Sequence, residues 1–204
     1  DGNVDMLVYS FWNNGFYLYD GNDNGFMTFD APTFFSCSTH GYEAIFIDYD
    51  ADGDLDIVSA CSGSHRPLLL HVFDNTNNSF THNVYGDVIR IGYSIDLKHG
   101  DANGDGRMDF FMPDDGGFTL ATQNADKSFE MEFYQEGWNN PLGQLKAHKL
   151  LVDVNHDNSD DVIAYNRTFE KLDVFNSSGS SVLFDMPSLM DYLFLIYLLL
   201  INTE

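Results

Sequence analysis

Residues Phe46 to Ser59, FIDYDADGDLDIVS, decide how the rest of the chain is read. Five aspartates stand on alternate positions with a single glycine among them, between two short apolar runs. Counted from Asp48 as position 1, side-chain oxygens fall at Asp48, Asp50, Asp52 and Asp56, positions 1, 3, 5 and 9, and Asp54 at position 7 offers its backbone carbonyl. Carboxylates crowded this closely repel one another unless a cation neutralises them. Hard oxygen donors at this density suit Ca2+, which takes about 6–8 of them. Gly53, at position 6, stands where the chain must turn sharply enough to aim successive side chains at one ion.

The spacing recurs. GDANGDGRMDF supplies Asp101, Asn103, Asp105 and Asp109, with the Arg107 carbonyl at position 7; VDVNHDNSDDV supplies Asp153, Asn155, Asp157 and Asp161, with the Ser159 carbonyl. The chain opens on DGNVDMLV, where Asp1, Asn3 and Asp5 fall at positions 5, 7 and 9 of a partial fourth copy. Three complete Ca2+ sites and one partial site are therefore expected, in a parent chain that continues before residue 1. The position-9 residues Asp5, Asp56, Asp109 and Asp161 are 51, 53 and 52 residues apart, and a fixed period of this size signals a repeat architecture. An EF-hand would need Glu at position 12 and flanking helices. Position 12 is Ser59, Met112 or Ala164, and the flanks are short and rich in β-branched and aromatic residues, as strands are.

One period divides into four strands. The pattern predicts strands at 6–12, 16–20 and 26–30, then 43–48, 56–61, 67–74 and 79–85. It continues with 95–100, 109–113, 118–123 and 127–134, and with 147–153, 161–166, 171–176 and 181–186, separated by turns rich in the Asn and Gly that tolerate positive φ. Four antiparallel strands per period of about 50 residues predict an all-β fold of β-propeller blades, with the acidic loops between strands one and two. The blades span 1–30, 43–85, 95–134 and 147–187, joined by crossovers at 31–42, 86–94 and 135–146.

DYDADGDLDIV, DANGDGRMDFF and DVNHDNSDDVI resemble the calcium loops of FG-GAP or VCBS-type repeats, the blades of the integrin α-chain propeller and of many secreted propellers. LYDGNDNGFMTF and LHVFDNTNNSFT are similar to the turns between the third and fourth strands of such blades. The resemblance covers residues 1 to about 187 and implies a propeller of seven blades, of which about four are present. Loop 153–161 carries Asn158 where such loops have Gly, a substitution suited to the left-handed region.

Composition narrows the function. Nine basic against 32 acidic residues in 204 give a formal charge of −23, which argues against a nucleic-acid partner. Sequons at Asn77, Asn166 and Asn176 fall in polar stretches and, beside calcium loops, point to an extracellular setting and a glycoprotein. Whether Cys37 and Cys61 are bridged is a matter of geometry that the sequence leaves open, with Cys61 expected near Glu43 across the hairpin. The chain carries no G-x-S-x-G elbow, H-E-x-x-H, Walker loop or Rossmann glycine pattern, so no catalytic residue is assigned. His40 and His65 read as surface loop histidines, and His156, at position 4, as solvent-facing.

If all metal loops open on one face, the opposite face carries 13–15, 31–42, 62–66, 86–94, 115–117, 135–146 and 167–170. That set includes His40, Tyr42, His65, Arg66, Tyr93 and Trp138. Arg66 and Trp138 are the expected contacts to a protein or glycan, with packing of Trp138 beneath its own crossover as the alternative. The expected function is non-catalytic calcium-dependent adhesion or recognition. The alternatives are an accessory propeller of a secreted enzyme, such as a polysaccharide lyase or phospholipase, and a structural spacer. In the tail 188–204 the apolar run from Tyr192 to Ile201 is half of the about 20 residues that span a bilayer, and the tail reads as the start of a further blade, with a truncated membrane anchor as the alternative.

Overall fold

A computed structural model of the chain describes residues 4–10, 12–22, 30–37, 40–63, 66–86, 97–114, 117–135, 149–166, 171–175 and 181–185. Among these residues there are fifteen β-strands and no helix. The strands form four antiparallel sheets that follow one another along the chain. The first contains β1 (Met6–Ser10), β2 (Gly15–Tyr19) and β3 (Thr33–Ser36), and the second β4 (His40–Ile47), β5 (Asp56–Gly63), β6 (Arg66–Thr76) and β7 (Ser79–Tyr85). The third contains β8 (Lys98–Gly100), β9 (Asp109–Asp114), β10 (Gly117–Gln123) and β11 (Phe129–Gln135), and the fourth β12 (Lys149–Val152), β13 (Asp161–Asn166), β14 (Lys171–Phe175) and β15 (Ser181–Asp185). Within each sheet every strand pairs with its sequence neighbour, which is the order that short turns enforce.

Period-2 alternation explains how the sheets stack. Ile57 on β5 and Phe73 on β6 face the first sheet and pack with Leu18 and Phe35. Their neighbours Val58, Ala60, Leu70 and Val72 face the opposite way and pack with Phe110, Met112 and Ala121 of the third sheet. Phe111, one residue on from Phe110, joins Phe118 against Val162 of the fourth sheet. Both faces of an inner sheet are thus apolar, which is why DIVSAC and DFFM are nearly continuous apolar runs. The β6–β7 turn is a two-residue loop with Asn77 at φ 52° and Asn78 at φ 64°, the left-handed pair a tight hairpin needs.

Two expectations need correction. Residues 31–42, expected as a crossover, contain the third strand of the first sheet, Thr33–Ser36, and the start of β4, while the strand expected at 26–30 lies, except for Asp30, outside the described residues. Phe35 of β3 sets its ring 5.0 Å from Phe73 and 4.9 Å from Phe80 of the second sheet, an anchor that holds β3 in place. His40 and Tyr42 are therefore strand residues, and Arg66 opens β6. Cys61 lies near Glu43 as expected, directly opposite Gly41, because a bulge between Gly41 and Glu43 shifts the register by one residue.

Cys37 and Cys61 form a disulfide with Cα atoms 5.8 Å apart. It joins the residue after β3 to β5, between the first and second sheets. Cys61 lies toward the end of β5 remote from its acidic loop, and Phe16 packs beside the bridge.

Candidate functional site

The acidic stretches are the connections β4–β5, β8–β9 and β12–β13, and they share one backbone conformation. Position 4 has φ 58° at Ala51, 73° at Gly104 and 62° at His156; position 6 has φ 95° at Gly53, 81° at Gly106 and 68° at Asn158. Two left-handed residues, one apart, curl the chain so that the amides between them point inward. Position 1 collects those amides. Asp48 accepts from Asp52 N at 3.0 Å and Gly53 N at 3.1 Å, and Asp101 from Asp105 N at 3.0 Å and Gly106 N at 2.7 Å. Asp153 accepts from Asp157 N at 3.2 Å and Asn158 N at 3.0 Å. Position 3 receives the same position-5 amide through Asp50, Asn103 and Asn155, and position 5 receives the position-7 amide through Asp52, Asp105 and Asp157.

Position 9 behaves differently. Asp56, Asp109 and Asp161 are buried, and each accepts from the position-2 amide: Tyr49 N at 3.2 Å, Ala102 N at 2.9 Å and Val154 N at 3.1 Å. The other oxygen takes an amide from the end of the third strand, Asn75 N at 2.7 Å for Asp56 and Gln123 N at 2.9 Å for Asp109. Asp5 accepts from Gly21 N at 2.9 Å in the corresponding place. Position 9 therefore clasps the loop to the sheet, and each oxygen keeps a second lone pair. Burial pushes the carboxyls of Asp56 and Asp109 up to about 6 although the two amides pull each of them down, and burial raises Asp161 too. At Asp153 the amides of Asn158, His156 and Asp157 together outweigh desolvation and hold the carboxyl below its usual range.

Neighbouring loops touch. Asp101 N donates to Asp160 Oδ2 at 2.8 Å, and Asp160 N returns a bond to the Asp101 carbonyl at 2.7 Å. A Cβ on Gly104 would meet Ser159 Oγ at 2.6 Å, so this glycine is required for close approach as well as for its φ. Gln123 Nε2 donates to the Tyr49 carbonyl at 3.1 Å, linking the third sheet to the first complete loop. Lys127, in the β10–β11 turn, reaches the same loop and pairs with Asp50, while Arg107 pairs with Asp105 and donates through Nε to the Gln123 carbonyl at 2.9 Å.

The donor set fits a hard cation. Asp48, Asp50 and Asp52 each turn one carboxylate oxygen into a group within 4.8 Å of one another. Every side-chain donor at positions 1, 3, 5 and 9 of the complete loops is an oxygen of Asp or Asn, the ligand type of Ca2+ or Mg2+ and not of thiophilic metals. Lys127 on Asp50 shows the loop already drawing in positive charge. Two features were not foreseen from the sequence: the left-handed position 4, hinted at only by Gly104, and the cations supplied by Lys127 and Arg107.

Other expected residues are spread more widely. Asn77 is exposed in its turn, and its amide donates to Asp54 Oδ2 at 3.0 Å, while Asn166 ends β13. His156 is exposed, as expected for a position that contributes only backbone. Asp1, Asn3, His65, Tyr93, Trp138, Asn176 and the tail 188–204 lie outside the described residues. Neither a scan against protein-family models nor a search of curated proteins finds a match to this chain.

Proposed function

We propose that this chain is a run of calcium-binding β-propeller blades that serves, outside the cell and without catalysis, in adhesion or in recognition of a protein or glycan. One observation carries the reading. Three loops in which positions 1, 3 and 5 accept the same backbone amides join the first two strands of three successive stacked sheets, and in the first of them Asp48, Asp50 and Asp52 bring carboxylate oxygens within 4.8 Å of one another. Asp48, Asp50, Asp52 and Asp56, with their counterparts in the other two loops, would hold the ions, and Asp5 stands in the place of position 9 in the first sheet. A bound Ca2+ would supply the charge that makes crowded carboxylates tolerable; its role here is structural.

The Cys37–Cys61 disulfide supports an oxidising compartment, and the exposed sequon at Asn77 is accessible to glycosylation there. The acidic surface disfavours nucleic acid. The strand ends remote from the loops, where β6 begins at Arg66, are the proposed partner face, with Trp138 in the crossover as the second contact.

Calorimetric titration with Ca2+ tests the reading. Uptake at millimolar concentration or below, with a rise in Tm that chelation reverses, is expected. Each site adds roughly 2.7 kcal/mol at a hundredfold excess of ion over Kd. Asp50→Ala removes one site from the loop richest in carboxylates. Absence of uptake at millimolar Ca2+ refutes the assignment. For the partner face, Arg66→Ala and Trp138→Ala should weaken capture on glycan or extracellular-protein arrays while leaving the calcium-dependent Tm unchanged.

A further inference from the structure

Away from the acidic loops, sulfur and nitrogen donors meet between the first two sheets. Cys37 and Cys61 are fully buried and His71 is 1 % exposed. One ring nitrogen of His71 and both sulfurs lie within 4.8 Å of one another. The grouping follows from register: Ser59 is opposite His71, and Cys61 is two residues from Ser59, on the same face of β5. Ser59 Oγ lies 3.4 Å from Cys61 Sγ and 3.8 Å from Cys37 Sγ and donates to the Glu43 carbonyl at 2.7 Å.

His71 is the unexplained member. Its Nδ1 is 3.0 Å from His82 Nε2, while its Nε2 is buried and has no hydrogen-bond partner among the described residues. An orphaned buried N–H is rarer than an orphaned acceptor. Nδ1–H therefore donates to His82, and Nε2 carries a lone pair with nothing to receive. That is the tautomer a metal ligand needs, and His82 stands where an outer partner orients the ring of a metal-bound histidine.

We propose that in the dithiol state Cys37, Cys61 and His71 form a buried site for a thiophilic d10 cation of the Zn2+ class, so that disulfide and metal are alternative occupants of one space. Two thiolates and an imidazole select such a cation over Ca2+ and leave one position of a tetrahedron for water or Ser59 Oγ. A phosphine and water supply the two electrons and two protons that break the S–S bond into two thiols, and the phosphine leaves as its oxide. Each thiol then releases its proton as the metal binds. No loop aspartate takes part, so this inference is independent of the calcium reading.

The test uses the whole chain with Ca2+ in excess, reduced anaerobically with a phosphine, and Co2+ as the spectroscopic probe for Zn2+. One equivalent of Co2+ should be taken up with a thiolate-to-metal charge-transfer band that Zn2+ abolishes. The oxidised chain should show no such band. Cys61→Ser and His71→Asn should each remove or alter the band, and His82→Asn should weaken uptake by about 10–100-fold. If reduction unfolds the chain, Zn2+ should restore the β circular-dichroism signal and protect both thiols from alkylation. A reduced chain that stays unfolded with Zn2+, takes up Co2+ without the band, or gives the same band with His71→Asn overturns the proposal.

Discussion

Replacing Asp56 by Ala separates what position 9 does for the fold from what the loop does for an ion. The Asp56 carboxylate is 1 % exposed and accepts the amides of Tyr49 at 3.2 Å and Asn75 at 2.7 Å. Truncation strands two buried backbone donors, at about 1–3 kcal/mol each, so the loss is ~2–6 kcal/mol before any metal is considered. That is a large part of the ~5–15 kcal/mol that holds a typical domain folded. Asp52, by contrast, is exposed and accepts only the Asp54 amide at 2.9 Å among its backbone partners. Its truncation should cost about 0.5 kcal/mol, as surface substitutions do. Urea unfolding followed by circular dichroism, at neutral pH in chelator, is the assay. Asp56→Ala should shift the midpoint several times further than Asp52→Ala, and the two should converge only in their loss of the calcium increment. Asp56→Asn keeps one carbonyl acceptor, sheds the buried charge and should fall between. Equal midpoints for Asp56→Ala and Asp52→Ala in chelator would refute the clasp.

Lys127→Met removes the cation paired with Asp50, so calcium should bind loop 48–56 more tightly, with the difference shrinking as salt is added; an unchanged titration would show that Lys127 does not compete for the site. Burial, with His82 adding to it, holds the His71 pKa down to about 4 from 6.5, so the unfolded chain binds a proton there that the folded chain refuses. Its contribution is whole above pH 6.5 and is lost as pH falls toward 4, by ~3 kcal/mol. This is measured as the difference between wild type and His71→Gln, because Asp56 and Asp109, pushed up to about 6, favour the fold as pH falls through the same window. A difference that does not change with pH would show that His71 titrates normally.

The sheets were legible because alternation and turn chemistry are local: Asn77-Asn78 marks a hairpin whatever surrounds it. The position of β3 was not, because TFFS falls in a stretch read as a crossover and the rings that anchor it, Phe73 and Phe80, belong to another sheet. The aspartate spacing marked the loops, and Gly53 and Gly106 marked position 6. Ala51 gave no sign of a left-handed position 4, since alanine does not favour it, and His156, of a type enriched there, was one residue among many; the loop's own hydrogen bonds hold both. The clasp was hidden for a different reason: the Asn75 amide that meets Asp56 lies 19 residues away and becomes a neighbour only when β5 pairs with β6.

Ile57 and Val58 belong to different neighbours, the first to the sheet before and the second to the sheet after. Consecutive residues of a strand are therefore addressed to two separate interfaces. Gain or loss of a single residue inside β5 would exchange the addresses of everything beyond it, sending Ser59 and Cys61 to the face now held by Val58 and Ala60. Changes of length survive in the connections, or where a bulge absorbs the extra residue as it does between Gly41 and Glu43. The intervals of 51, 53 and 52 residues between Asp5, Asp56, Asp109 and Asp161 fit that restriction, since each complete loop keeps its nine positions. For anyone inserting a label or a new binding segment, the joints between sheets can be lengthened, whereas a strand takes an extra residue only as a bulge.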